Sequence, residues 1–198
     1  MDNESRKGDW QQTYTGRQFW PLDPRVEDIC VEDIAHALSM QCRFGGHCRV
    51  FYSVAEHSVR VSRLVEEWNV REGYSGNWRY TRCLSALLHD ASEAYLVDVP
   101  RPIKPRLVGY KDIERGVMRA VERWIGVSDG GCECGAIKDA NEVILATEAR
   151  DLMKITKPWH LRAEPLAELI EPWSSERAEA AFIDRFNLLV REPNRECM

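Results

Sequence analysis

The chain has 198 residues, enough for one domain with a proper core at the usual ~100–200 residues per domain. Hydrophobic residues at 44% and charged residues at 30% exclude a disordered or fibrous chain and match an ordinary globular domain. The net charge of −5 argues against binding a nucleic-acid polymer, which needs a basic surface, but leaves room for a small anion held by a few local cations.

Residues 1–12 are polar and read as a flexible N-terminus, ahead of a domain over 13–192 and a tail over 193–198. They show no apolar leader core, and no run of ~18 apolar residues follows, so no signal peptide and no membrane span are expected. Tyr14 to Pro24, rich in aromatics and prolines, reads as an irregular arm. Residues 30–41 place Val31, Ile34, Ala35 and Leu38 on one side of a helix. Residues 54–68 form the next helix, with Val54, Val61, Leu64 and Val65 as its stripe. Ser53-Val-Ala-Glu56 at its start fits a capping box. Residues 69–79, with Gly73 and Gly76, read as a loop.

An apolar helix is expected from about 80 to 96. Pro100, Pro102 and Pro105 then forbid a continuous helix. Further helices are expected over 108–126, 137–154 and from Ser175 to about Val190, with Pro158, Pro165 and Pro172 breaking the stretch between the last two. No long alternating strand pattern occurs, so the fold class is all-α, a single helical bundle. The seven cysteines are odd in number, which favours a reducing, cytoplasmic setting over a disulfide framework. Cys132 and Cys134 lie in a Gly-rich connection. Their C-x-C spacing lacks a second ligand pair, so the segment reads as a flexible loop rather than a zinc site.

The chemistry concentrates in Leu87-Leu-His-Asp-Ala-Ser-Glu93. Polar groups entering an apolar segment need partners, and imidazole beside carboxylate suits a divalent metal. On a continuous helix Glu93 would share a face with His89 and Asp90. His57 lies on the apolar stripe of its own helix, one turn after Val54 and one before Val61, and is expected to point inward. Alone, such a histidine is usually a hydrogen-bonded core residue; beside a His-Asp pair it becomes a candidate ligand.

These segments resemble the HD-domain phosphohydrolases, in particular bacterial HD-type 5′-deoxynucleotidases and phage dATP triphosphohydrolases. The resemblance runs from about Tyr14 to Leu189. It is carried by Asp33-Ile-Ala-His-Ala-Leu-Ser39, Gln41-Cys-Arg-Phe-Gly-Gly-His47, Phe51 to His57, Leu87 to Tyr95, Asp98 to Lys104, and Ala146-Thr-Glu-Ala-Arg-Asp-Leu152. It implies an HD helical bundle holding one divalent ion (Co, Mn, Zn or Mg) through His57, His89 and Asp90. It further implies Glu93 as the catalytic carboxylate, Asp98 as a second acidic group near the phosphorus, Arg43 and Lys104 on phosphate, and Phe44 beside sugar and base. Lys111 and Arg106 are candidates to extend a phosphate track, and Trp20 is a candidate for stacking on a base.

The match breaks on the helix after 137, where Asn141 stands in the place of the family's last metal-binding Asp. Asp139 is ~200° away around the helix and cannot replace it. Three readings stay open: Asn141 ligates through its carbonyl oxygen, Glu142 substitutes, or the site is weakened. The resemblance implies hydrolysis of a small deoxynucleotide, dATP or another dNTP first and a dNMP as the alternative, in bacterial or infected-host cytosol by a homo-oligomer. A rival is an HD module that binds a nucleotide without hydrolysis. A cyclic-dinucleotide or alarmone hydrolase is less favoured, because His36, His47 and His160 complete no second metal site by spacing.

Overall fold

The computed structural model describes residues 6–191, so the expected tail over 193–198 and the first five residues lie outside the described part. The all-α expectation holds. Seven α-helices occur among the described residues: α1 (Val31–Met40), α2 (Val54–Arg71), α3 (Asn77–Leu87), α4 (Glu93–Leu96), α5 (Tyr110–Trp124), α6 (Gly135–Leu152) and α7 (Ser175–Arg191). The one sheet among these residues is a two-residue antiparallel pair, β1 (Gln11–Gln12) with β2 (Gln18–Phe19).

Helix α2 is the axis of the bundle, packed against α1, α3, α6 and α7. Its inward stripe of Val54, Val61, Leu64 and Val65 meets Leu84 and Leu87 of α3, Ile144 of α6 and Phe182 of α7 in one core. At its start the Ser53 hydroxyl accepts the Glu56 N–H at 3.0 Å, as a capping box requires. The Glu56 carboxylate does not return to Ser53. It takes the Arg60 guanidinium (2.9 and 2.7 Å) and the Trp173 N–H (2.8 Å), tying α2 to the chain entering α7.

The expected single helix over 80–96 is two helices with a turn between them. α3 ends at Leu87, and the turn is held by Ala91 N–H to Leu88 O (3.0 Å) and Glu93 N–H to Asp90 O (2.9 Å). The cause is local. His89 Nδ1 lies 2.8 Å from Ala86 O, the carbonyl that the Asp90 N–H would take in a continuing helix. A side chain occupies the carbonyl that the helix would need two rungs on, while Leu88 and Ala91 stay fully buried and anchor the turn.

Two segments expected to be loose carry side-chain bonds to their surroundings. In the Gly-rich connection, buried Glu122 accepts the N–H groups of Gly130 (2.9 Å) and Cys132 (3.1 Å). In the polar N-terminal arm, Arg6 pairs with Asp23 (2.9 Å) and Asp28 (2.5 Å). The irregular stretch between α6 and α7 is stitched down likewise: Thr147 Oγ1 accepts Leu166 N–H (2.9 Å) and Asp151 Oδ2 accepts Ile170 N–H (2.8 Å). No helix among the described residues is long and apolar enough to cross a membrane.

Candidate metal centre

Three side chains from two elements meet at one point. His57 comes from the second turn of α2 and is fully buried; His89 and Asp90 come from the turn after α3. His57 Nε2 is 3.4 Å from His89 Nε2 and 3.6 Å from Asp90 Oδ2, and His89 Nε2 is 3.3 Å from the same oxygen. Two donors ~2.1 Å from a tetrahedral ion are about 3.4 Å apart, so the triangle has the size of a metal site. Among the described residues this is the one His/Cys/Asp/Glu group with such geometry.

The second ring nitrogens say which lone pairs are free. His57 Nδ1 lies 2.6 Å from Glu148 Oε1, and a carboxylate only accepts, so Nδ1 carries the hydrogen. His89 Nδ1 donates to Ala86 O. In the neutral rings both Nε2 atoms therefore present lone pairs toward each other and toward the Asp90 carboxylate, an arrangement that is repulsive until a cation lies among them. Burial lowers the His89 pKa more than Asp90 beside it raises it, which favours the neutral ligand form. The site is able to hold a metal ion.

Arg43 neutralises the anions behind the triad, with Nη2 3.2 Å from Glu148 and Nη1 3.6 Å from Asp90. It is placed by a short bridge in which Arg43 N–H meets Tyr52 O (2.9 Å) and Val54 N–H meets Gln41 O (3.1 Å), so the strand before it runs beside the start of α2. Burial opposes ionisation of Glu148 and Asp90, but favourable neighbours win and both carboxyls stay below their ordinary values. For Glu148 these are the Arg43 guanidinium and the hydrogen-bonded His57 ring; for Asp90 they are the two imidazoles of the triad, with Arg43 and Lys104.

Glu93 differs. It is 7% exposed, its Oε2 has no partner, and burial together with Asp90 and Asp98 pushes its carboxyl well above the usual range. Gln41 holds its surroundings, donating to Glu93 O (2.9 Å) and accepting the Asp98 N–H (3.0 Å).

His89, Asp90 and Glu93 open onto a cavity of about 360 Å³ that is also lined by Lys104, Lys111, Arg115, Lys138 and Asn141. Lys104 is held by Glu114 at 2.5 Å, a bond that outweighs burial and keeps its ammonium above the ordinary value. Asn141 Oδ1 is buried without a partner beside these groups. Asp139 is exposed, and Glu142 is taken by Arg101 at 3.2 Å, so neither replaces Asn141.

Not every expected residue is brought here. Trp20 is 6% exposed and lies beneath the Arg6 guanidinium, 4.1 Å from its ring centre; it lines no part of this cavity and is a packing residue. Arg106 is exposed and lies outside the cavity wall. Phe44 is half-buried, with a left-handed backbone (φ 56°) and its ring edge-on to Trp159 at 5.8 Å. Glu148 and Gln41, which orient the site, stand out in the sequence only as polar residues beside apolar ones.

No protein-family model matches the chain. It is similar to the uncharacterized protein YfdR of Escherichia coli (strain K12), 34% identical over 180 residues that span 89% of this chain and 93% of that protein. It is equally similar to an uncharacterized protein of Rhodobacter capsulatus, 34% identical over 196 residues covering 92% of this chain and 96% of its relative. The chain belongs to the family that these two bacterial proteins share.

Proposed function

We propose that the chain is a metal-dependent phosphohydrolase of the HD class that acts on a small deoxynucleotide, dATP or another dNTP foremost. The observation that carries this reading is the pair of imidazoles whose Nδ1–H groups are both spent on fixed acceptors, leaving two Nε2 atoms 3.4 Å apart beside Asp90. Two nitrogens and a carboxylate suit Zn²⁺, Co²⁺ or Mn²⁺ better than Mg²⁺, which prefers oxygen. His57, His89 and Asp90 would hold the ion, and the unpaired Asn141 Oδ1 would offer a further oxygen.

A divalent ion supplies Lewis acidity toward phosphoryl oxygen and acidifies water. Glu93 handles the proton at its unpaired Oε2, with a carboxyl already shifted toward neutral pH. Asp98 helps set that shift through its own negative charge. Lys104 and Lys111 face the phosphate oxygens from the cavity wall, and Arg43 keeps an unpaired Nε beside the triad. The row Lys104, Lys111, Arg115 and Lys138 supports a triphosphate. A second reading, a 5′-deoxynucleotidase acting on dNMPs, is favoured by Glu114 and Glu133, which occupy Lys104 and Lys138 and shorten the row.

The test is phosphate release from a panel of dNMPs, dNDPs, dNTPs and their ribo counterparts, each with Mn²⁺, Co²⁺, Mg²⁺ and Zn²⁺. Glu93→Ala is expected to keep metal and nucleotide binding and to lose turnover by ~10²–10⁴-fold. Unchanged turnover would remove Glu93 from the mechanism. No release from any substrate, with binding intact, would leave a nucleotide-binding module.

A further inference from the structure

A second concentration of positive charge lies elsewhere on the molecule and shares no residue with the cavity. Trp173, 9% exposed, sits where the irregular stretch enters α7. Three guanidinium groups surround its ring: Arg60 and Arg63, one turn apart on α2, at 5.2 and 5.5 Å from the ring centre, and Arg177 of α7 at 5.0 Å. Arg185 lies close enough for its charge to act on Arg63.

The partners of these arginines are unequal. Arg60 is held by Glu56, and Arg185 by Glu66 at 2.7 Å. The guanidinium groups of Arg63 and Arg177 have no hydrogen bond and no ion pair among the described residues. The aromatic face offsets part of the repulsion between such neighbours, but it supplies no acceptor. Burial and the three neighbouring arginines hold Arg63 below its ordinary pKa, the direction expected where like charges are crowded. Against four arginines stand the carboxylates of Glu56 and Glu66, the second of which also acts on Arg63, and the exposed guanidinium groups of Arg63 and Arg177 keep donors available to a ligand.

We propose that Arg63 and Arg177, with Arg60 and the ring of Trp173 as their support, form a second anion-binding site that takes a small polyphosphate. A planar guanidinium presents paired N–H donors that match phosphate oxygens, and two such forks from different helices suit a ligand with several phosphoryl groups. The patch is confined to the α2/α7 junction, which fits a compact anion and not a polymer laid along an extended basic stripe. The site also touches the interior. Glu56, which holds both Arg60 and the Trp173 N–H, immediately precedes His57 in α2.

The test is calorimetric titration of the full chain, as purified, with inorganic tripolyphosphate. Three proteins are compared: the parent, the double variant Arg63→Ala/Arg177→Ala, and the cavity variant Lys104→Ala/Lys111→Ala. Binding at the metal centre is common to the parent and the arginine variant, so their difference reads this site alone. The arginine variant is expected to lose one binding event or to weaken it at least 10-fold, while the cavity variant keeps it. Arg63→Gln alone is expected to weaken it at least 3-fold, which preserves the test if the double variant folds poorly. An isotherm unchanged by the arginine substitutions, or loss of all binding in the cavity variant, overturns the proposal. So does capture of the parent by anionic vesicles or duplex DNA through these arginines with no tripolyphosphate bound.

Discussion

His57 Nδ1 lies 2.6 Å from Glu148 Oε1, a bond between two fully buried side chains 91 positions apart in the sequence. It fixes the ring so that Nε2 faces His89 and Asp90, and it leaves the other Glu148 oxygen to Arg43. Glu148→Gln keeps an acceptor but removes the charge, and metal affinity is expected to fall ~10–100-fold. Glu148→Ala strands a buried guanidinium and is expected to cost about 3–5 kcal/mol of stability. Metal titration and chemical unfolding check the two effects. Undiminished metal affinity in Glu148→Gln would show that the ring needs no orienting partner.

Glu93 gives a pH signature with the opposite sign to Glu148 and Asp90. Its folded carboxyl titrates above its unfolded value, so the folded state binds more protons and loses stability as pH rises from about 4 toward the folded pKa. Metal-stripped Glu93→Gln is therefore expected to melt higher than the parent at pH 7 and alike at pH 4. Glu148 and Asp90 have lowered pKa values; their stabilisation is present above the unfolded value and fades as pH falls through the folded one. Melting curves from pH 3 to 8 separate the two behaviours. A parent and Glu93→Gln that track each other throughout would deny the shift at Glu93.

Asn141 lines the cavity with a buried, unpaired Oδ1. Asn141→Asp puts a charge where the amide offers a dipole, and metal binding is expected to tighten about tenfold or more, with activity equal or higher. If binding does not tighten, Asn141 does not face the ion.

Trp20 is a packing residue under Arg6. Trp20→Ala is expected to cost about 3–5 kcal/mol of stability and to leave nucleotide affinity unchanged once the protein is folded. A large rise in nucleotide Kd with little loss of stability would return Trp20 to the binding site.

Periodicity located the helices because burial on one face imposes it, and it placed His57 correctly because an imidazole in an apolar stripe has to point inward. It failed at His89. The apolar pattern continues past Leu87, and the helix stops because a side chain takes the Ala86 carbonyl, a competition that hydropathy does not register. Glu148 was legible as a carboxylate on the stripe of Ile144 and Leu145, but its partner belongs to another helix and no local rule names it. An aromatic ring suits either a core or a base, so the sequence leaves Trp20 open between the two; the packing of Arg6 against it depends on residues whose pairing is set only by the fold.

The bond from His89 to Ala86 makes the two imidazoles unequal under mutation. Removing His57 leaves its own N–H on the Ser53 carbonyl near the start of α2, so no backbone rung depends on the ring. Removing His89 frees the Ala86 carbonyl at the end of α3, and the direct repair is to continue the helix until the Asp90 N–H reaches it, which would re-aim the Asp90 carboxylate. A lineage that discarded the histidine at 89 would thereby re-aim its neighbouring carboxylate as well, so this half of the centre is inherited or lost as a unit.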